Sequence, residues 1–332
     1  MENLKIVAIG GGTGISILLR GLKEITENIT AIVSVADDGG GSGVLREDLG
    51  MLPPGDIRSN ILALANTEPI MEELLKYRFD SGKLQGQNFG NLLIAALLGI
   101  SGNFEEAIKN ASEIFAITGK VIPVTTEEMH LCCELENGRK IIGESAIPRE
   151  VLKQGSSIKK VYLSDNTIKP LKSAIDEIMK ADIVFLGPGS LYTSLLANIL
   201  IEEIDLALSK TKAKKIFIAN LMTQPGETDS FGVKEHISAF YKHSKYKYID
   251  YIFVNNGNIS DQVIKKYKEE GSLPVKVGKK DIDYLKKFEI ELLEGDVVEE
   301  KKGYLRHDSK KMSKLICDYL VNVVETKIEI LK

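Results

Sequence analysis

Two adjacent carboxylates followed by clustered glycines dominate the segment Ser34-Val-Ala-Asp-Asp-Gly-Gly-Gly-Ser-Gly-Val-Leu-Arg46. The apolar run Ile29 to Val33 leads into it and predicts a strand that opens into a loop. That loop carries Asp37 and Asp38 and then four glycines within five residues. Glycine loses more conformational entropy on ordering than any other residue, so a fold gains nothing from such a stretch by itself. It makes sense where something must lie against the backbone and any side chain would clash. A surface loop that tolerates glycine is the plain alternative for one loop taken alone. Two further glycine turns shift the balance toward a ligand.

The first is Ile6-Val-Ala-Ile-Gly-Gly-Gly-Thr-Gly14, after which Ile15, Leu18, Leu19 and Leu22 recur at helical spacing. Strand, tight turn and helix place the free amides of a helix N-terminus to receive an anion. Gly11, Gly12, Thr13 and Gly14 are therefore candidate phosphate ligands, with Gly12 expected at the closest approach and in a backbone suited to positive φ. The G-x-G-x-x-G fingerprint is not met, because the third glycine would fall on Ile15. A P-loop is excluded, because Gly119-Lys120 is followed by Val121. The second turn is Gly187-Pro-Gly-Ser190, between the strand-like run 181–186 and a helix for which Ser190 is a good N-cap. Gly187, Gly189 and Ser190 join the candidates. A third loop, Asn220-Leu-Met-Thr-Gln-Pro-Gly-Glu-Thr-Asp229, offers Asn220, Thr223 and Gln224; its alternative is a simple Pro-Gly turn.

Strands expected near 4–9, 29–35, 120–125, 182–186, 215–219 and 250–254 alternate with helices, which predicts a doubly wound α/β fold with a mostly parallel sheet. A helical insertion spans about 56–117, and residues 129–163 form a small antiparallel region with a hairpin at Asn137-Gly138. The whole chain, 1–332, is read as one α/β nucleotide-binding domain. The lysine-rich end, with a helix near 309–326, reads as a solvated face. In Leu52-Pro-Pro-Gly-Asp-Ile-Arg-Ser-Asn60, Asp56 suits a helix N-terminus. Functionally, Arg46, Asp56, Arg58 and Asn60 would face the Asp37 loop and hold a phosphate or carboxylate. Asn91 either caps the helix after Gly86-Gln-Asn-Phe-Gly90 or points at the same cleft.

A net charge of −4 and 43 % hydrophobic residues argue against a nucleic-acid partner and fit a water-exposed globular protein. No run of 18 apolar residues and no signal peptide is seen, so no membrane association is expected. Three cysteines without a C-x-x-C pair fit a reduced, cytoplasmic setting, and four scattered histidines argue against zinc.

Gly10-Gly-Gly-Thr-Gly, Ser34-Val-Ala-Asp-Asp-Gly-Gly, Pro53-Pro-Gly-Asp-Ile-Arg, Gly90-Asn-Leu-Leu-Ile-Ala-Ala, Gly187-Pro-Gly-Ser-Leu-Tyr-Thr-Ser, Met222-Thr-Gln-Pro-Gly-Glu-Thr and Arg306-His-Asp-Ser-Lys-Lys resemble, in order, the motifs of the YvcK/CofD-like family. The resemblance spans nearly the whole chain and is strongest to the bacterial branch. It implies a Rossmann-like fold with a nucleotide across the glycine turns. It also implies binding of a UDP-sugar such as UDP-N-acetylglucosamine, and a regulatory role in gluconeogenic growth, cell-wall precursor supply and cell shape. A regulated enzyme of amino-sugar synthesis is then a partner, and a homo-oligomer is compatible with it. On this reading no catalytic residue is assigned and no cofactor is required. Tyr267 stacks on the uracil, unless it is only an amphipathic-helix residue, and Arg306 pairs with phosphate. The archaeal branch implies the alternative, a 2-phospho-L-lactate transferase-like enzyme in which Asp37 and Asp38 hold Mg²⁺. The chain departs from the family pattern at Gln87, where many relatives have histidine, and at Gly41, where serine is more usual.

Overall fold

The computed structural model describes the backbone of residues 3–301 and 303–330 and the side chains of residues 3–301 and 303–319. Met1 and Glu2, the start read above for a signal peptide, lie outside the described residues. The strands are β1 Ile6–Gly10, β2 Ile29–Val33, β3 Lys120–Pro123, β4 Leu131–Leu135, β5 Lys140–Ile142, β6 Ile158–Leu163, β7 Ile183–Leu186, β8 Lys214–Ile218, β9 Tyr251–Asn255, β10 Glu291–Gly295, β11 Val298–Lys301 and β12 Tyr304–His307. Seven form one parallel sheet in the order β10-β9-β8-β7-β1-β2-β3.

The apolar, β-branched run of β1 is buried along its whole length, as expected of a strand covered on both faces. Its neighbours are β2 on one side and β7 on the other, in registers that pair Gly10 with Val33 and Ile9 with Leu186. Strand order therefore reverses between β1 and β7, and ligands of such sheets sit beyond the carboxyl ends of the strands at that point. The doubly wound α/β reading holds, and the hairpin at Asn137-Gly138 joins β4 to β5, with β6 on the other side of β4. Among the described residues, no helix is long and apolar enough to cross a membrane.

Four features differ from the expectation. The glycine stretch after Asp38 is not a loop throughout, because a helix, Gly40–Leu49, begins inside it. Asn88, not Asn91, caps the helix Phe89–Ser101, its side chain accepting the Asn91 amide. A seventh strand, β10, and the antiparallel pair β11–β12 were not foreseen. The C-terminal helix Ser309–Ile330 exposes Lys310, Lys311 and Lys314 as expected, yet it buries Met312 and Ile316. It packs against the helix Thr13–Leu22, so over its described side chains, up to Tyr319, only one face is solvated.

Candidate functional site

The turns after β1 and β7 meet at the switch point because glycines, Gly14 and Gly189, stand at the contact. A Cβ on Gly14 would lie 2.1 Å from the Pro188 carbonyl oxygen and 2.7 Å from Gly189 Cα. Gly189 itself has φ of +151°, a conformation that excludes nearly every other residue. Gly12 differs from the expectation. Its φ is −85°, and what approaches it is a carboxylate of the protein itself. A Cβ on Gly12 would lie 2.2 Å from Asp56 Oδ1, and one on Gly11 would lie 2.9 Å from Asp56 Oδ2. The Gly12 amide donates to the Asp56 carboxylate. The amides of Thr13, Gly14 and Ile15 follow at the start of the helix, where no intrahelical acceptor exists.

Two asparagines hold this turn from below. Asn60 Nδ2 donates to the Gly11 carbonyl at 3.0 Å, and Asn198 Nδ2 donates to the Gly10 carbonyl at 3.1 Å. Each also donates to the carbonyl four residues earlier in its own helix, at 2.8 Å in both cases. Both are fully buried. Pinning the carbonyls inward leaves the turn amides facing out.

Around these turns opens a cleft of about 480 Å³, a size suited to a small-molecule ligand. Of the residues read from the sequence, Gly11, Gly12, Thr13, Gly14, Asp37, Asp56, Gly189, Ser190, Asn220, Gln224, Tyr267 and Arg306 line it. Ser190 caps the following turn by accepting the Thr193 amide at 3.2 Å, and its hydroxyl donates to Glu227. Asn220 accepts the Gly189 amide at 3.4 Å and donates to Gln224 Oε1 at 3.1 Å, which ties the third loop to the second turn. The Tyr267 hydroxyl accepts the Leu305 amide at 3.0 Å, so the helix Asp261–Glu269 fixes the strand that bears Arg306.

The remaining candidates lie off the cleft wall. Gly187 shapes the second turn with φ of +82°. Thr223 is buried, its hydroxyl accepting the Leu273 amide at 2.9 Å. Asp38 turns away from Asp37 and accepts the Ser145 amide at 2.8 Å, whereas Asp37 accepts the Gly39 amide at 2.9 Å. Arg46 is held by Glu128 at 3.3 Å and by the Met129 carbonyl at 3.1 Å. Arg58 and Asn91 do not line the cleft, and Asn91 Nδ2 instead lies 3.5 Å from Ser42 Oγ. Gly41 and Gln87, the two departures from the family pattern, touch one another: a Cβ on Gly41 would lie 3.1 Å from Gln87 Oε1.

Glu144, Ser194 and His307 line the cleft without having been foreseen. No motif surrounds Glu144. Asn198 had a readable signal, because it follows Ser194 by four residues as Asn60 follows Asp56. The acidic groups are strongly perturbed. Burial, reinforced by Asp37, pushes the Asp56 carboxyl up to about 7 against the Gly12 amide and Arg58. Burial pushes Glu144 up to about 8 despite its hydrogen bond with Thr193, with Asp37 and Asp56 adding to it. Burial also raises Glu227. His307 is driven down to about 4 by burial, so it is neutral near pH 7.

The family model described as 2-phospho-L-lactate transferase CofD matches residues 6–298. The chain belongs to the CofD family. Within it, the chain is 51 % identical over 316 residues to a protein of Thermoanaerobacterium thermosulfurigenes, covering 95 % of this chain and 97 % of that one. It is 44 % identical over 317 residues to the gluconeogenesis factor of Bacillus subtilis (strain 168), covering 95 % and 98 %. A crystal structure of a UPF0052 family member from Bacillus halodurans superposes with a TM-score of 0.89 at 41 % identity, covering 94 % of this chain and 99 % of that one. The two chains therefore share this α/β fold.

Proposed function

We propose that the cleft binds a nucleotide-sugar of the UDP-N-acetylglucosamine type and that the chain is a cytoplasmic regulatory protein of gluconeogenic growth. Cell-wall precursor supply and cell shape are the processes it would serve, through a regulated enzyme of amino-sugar synthesis. The observation that supports this most is the make-up of the cleft. Helix-opening amides stand at its centre, with the amides and hydroxyls of Ser190, Asn220 and Gln224 beside them and Tyr267 with Arg306 at one wall. Amides and Arg306 hold the diphosphate, the Tyr267 ring stacks on the base, and Asp37 accepts from a sugar hydroxyl.

One observation favours a second reading, a Mg²⁺-dependent transferase. Three carboxylates, Asp37, Asp56 and Glu144, line the cleft against one arginine. Among the described residues no three His, Cys, Asp or Glu side chains converge to hold a metal. Mg²⁺, however, is commonly held by one or two carboxylates together with substrate phosphates. Asp37 with Asp56, rather than Asp38, would then be its ligands, and the ion would neutralise charge on the phosphates.

Proton linkage separates the two. Without metal, a diphosphate is accepted best when Asp56 and Glu144 carry protons, so binding takes up protons. Affinity should then fall as pH rises through the window of about 7 to 8 set by these two groups. A drop of about tenfold between pH 6 and pH 9 is expected, the equivalent of one pKa unit. Metal-dependent binding needs ionised carboxylates and should strengthen with pH. Calorimetry of UDP-N-acetylglucosamine at both pH values, with and without Mg²⁺, reads the sign directly. We expect metal-independent binding, no turnover over hours, and a loss of about 1 kcal/mol in Asp37→Asn. Affinity that appears only with Mg²⁺ and grows with pH, together with nucleotide release, would overturn the sensor reading.

A further inference from the structure

On the side of Asp37 away from the glycine turns, the N-termini of three helices converge: Gly40–Leu49, Gly55–Leu64 and Phe89–Ser101. Their closeness is set by missing side chains. A Cβ on Gly55 would lie 2.4 Å from Ser42 Oγ and 2.9 Å from Asp37 Oδ2, and one on Gly90 would lie 2.7 Å from Arg58 Cδ. Asn91 Nδ2 is 3.5 Å from Ser42 Oγ, so its amide points at the start of the first of these helices. Each N-terminus presents the positive end of a helix dipole; the first two also present free amides, whereas at the third the Phe89 amide donates to the Tyr77 carbonyl and the Asn91 amide to the Asn88 side chain.

Two guanidinium groups stand at the same place. Arg58 is mostly buried, and its one side-chain hydrogen bond is to Ser59 Oγ at 3.3 Å. Arg78 donates to the Gly86 carbonyl, and its Nη1 is 3.7 Å from where a Gly41 Cβ would stand. Among the described residues the arginines with a carboxylate in ion-pair range are Arg20, Arg46 and Arg139, so these two have none. Burial first, and then Arg78, weaken the hold of Arg58 on its proton, while the charges of Asp56 and Asp37 strengthen it. A mostly buried guanidinium with no carboxylate in ion-pair range, beside a second cation and three helix N-termini, is a favourable place for a further anion, although Asp56 and Asp37 already offset part of its charge at longer range.

Unsatisfied polar atoms mark the same recess. Arg58 Nε, Gln87 Oε1 and Asn91 Oδ1 are buried without a partner. Asn91 is only 3 % exposed. Turned over about its last bond, either amide places its NH2 group where that unpartnered oxygen stands; for Asn91 the Nδ2 donation to Ser42 Oγ is then replaced by the Ser42 hydroxyl donating to Oδ1.

We propose that this recess is a second anion site, which takes the phosphate group of a small molecule other than the one in the glycine-turn cleft. Arg58 and Arg78 grip it through their forked donors, and Asn91 with the helix-start amides completes the cradle. Arg78 is exposed, which gives the ligand its way in. The proposal does not depend on what occupies the cleft. Asp37 lies between the two, so an occupant of either site is felt at the other.

Inorganic phosphate is the probe, followed by ³¹P NMR titration at low ionic strength. The wild-type protein should bind it, and Arg78→Gln and Arg58→Gln should each weaken it about tenfold, the scale of one charge-assisted hydrogen bond. Arg306→Ala should leave it unchanged, and saturating UDP-N-acetylglucosamine should not abolish it. Should Arg58→Gln fail to fold, the exposed Arg78→Gln decides alone. No phosphate binding, or binding indifferent to Arg78→Gln, overturns the second site. Loss in Arg306→Ala with retention in Arg78→Gln also overturns it, and assigns the phosphate to the cleft. Failure of UDP-N-acetylglucosamine to bind removes the proposed function but leaves the arginine comparison readable.

Discussion

Gly14→Val should cost about 3 kcal/mol or more of stability and abolish detectable nucleotide-sugar binding. The clash is with backbone, not with the end of a flexible side chain. The Cβ alone would stand 2.1 Å from the Pro188 oxygen and 2.7 Å from the Pro188 carbonyl carbon. Relief requires the turn after β7 to move away from the turn after β1, and that movement takes apart the place where both sets of amides face the cleft. Gly99→Ala is the matched control. Gly99 is inside the helix Phe89–Ser101 and nothing lies within 4 Å of an added Cβ. Alanine there should gain roughly 0.5–1 kcal/mol from helix propensity and leave binding intact. Thermal melts and calorimetry on the two variants would read both effects. A Gly14→Val protein that melts and binds like the wild type would show that the turns can part without loss.

Arg306→Ala should weaken nucleotide-sugar binding by about ten- to a hundredfold, the effect of roughly 1.5–3 kcal/mol for a hydrogen bond to a charged group. Its melting temperature should hardly change. The side chain is exposed on β12, and the described arginine ion pairs involve Arg20, Arg46 and Arg139 only. Arg306→Lys tests geometry separately from charge, because lysine supplies a point charge without the planar fork. Partial rescue by lysine would indicate that charge dominates, and none would indicate a bidentate grip. A large fall in melting temperature with affinity preserved would make Arg306 a structural residue instead.

The central strands and the turns between them were legible because each is a local pattern. Ile6-Val-Ala-Ile followed by glycines can be read without knowing its neighbours, and the same holds for Ile183-Val-Phe-Leu before Gly187. The edge strand β10, Glu-Leu-Leu-Glu-Gly, was missed for a physical reason. An edge strand packs on one side only and tolerates charge, so its apolar residues lose the run that marks a central strand. The strands β11 and β12 are charged for the same reason, although the second carries Arg306. The helix Gly40–Leu49 was hidden by its own glycines, because propensity counts against Gly-Gly-Ser-Gly and only tertiary packing on the helix Phe89–Ser101 overrides it.

Asp37 and Asp38 show where sequence adjacency misleads. Successive side chains in extended backbone point to opposite sides, so two neighbouring carboxylates rarely face one ion together. The partner that does approach Asp37 is Asp56, brought by a helix whose start the sequence marks but whose docking it cannot state. By itself, the sequence determined a doubly wound α/β chain with amide-rich turns at its switch point, since strand periodicity and glycine turns are written in consecutive residues. Only the tertiary structure decided that Gly12 faces Asp56 rather than open space, that Glu144 joins the cleft, and that Arg58 and Asn91 lie behind it. Those placements depend on contacts between residues tens to hundreds of positions apart. No local pattern encodes such contacts, because they are fixed by how helices and turns pack once the sheet has formed.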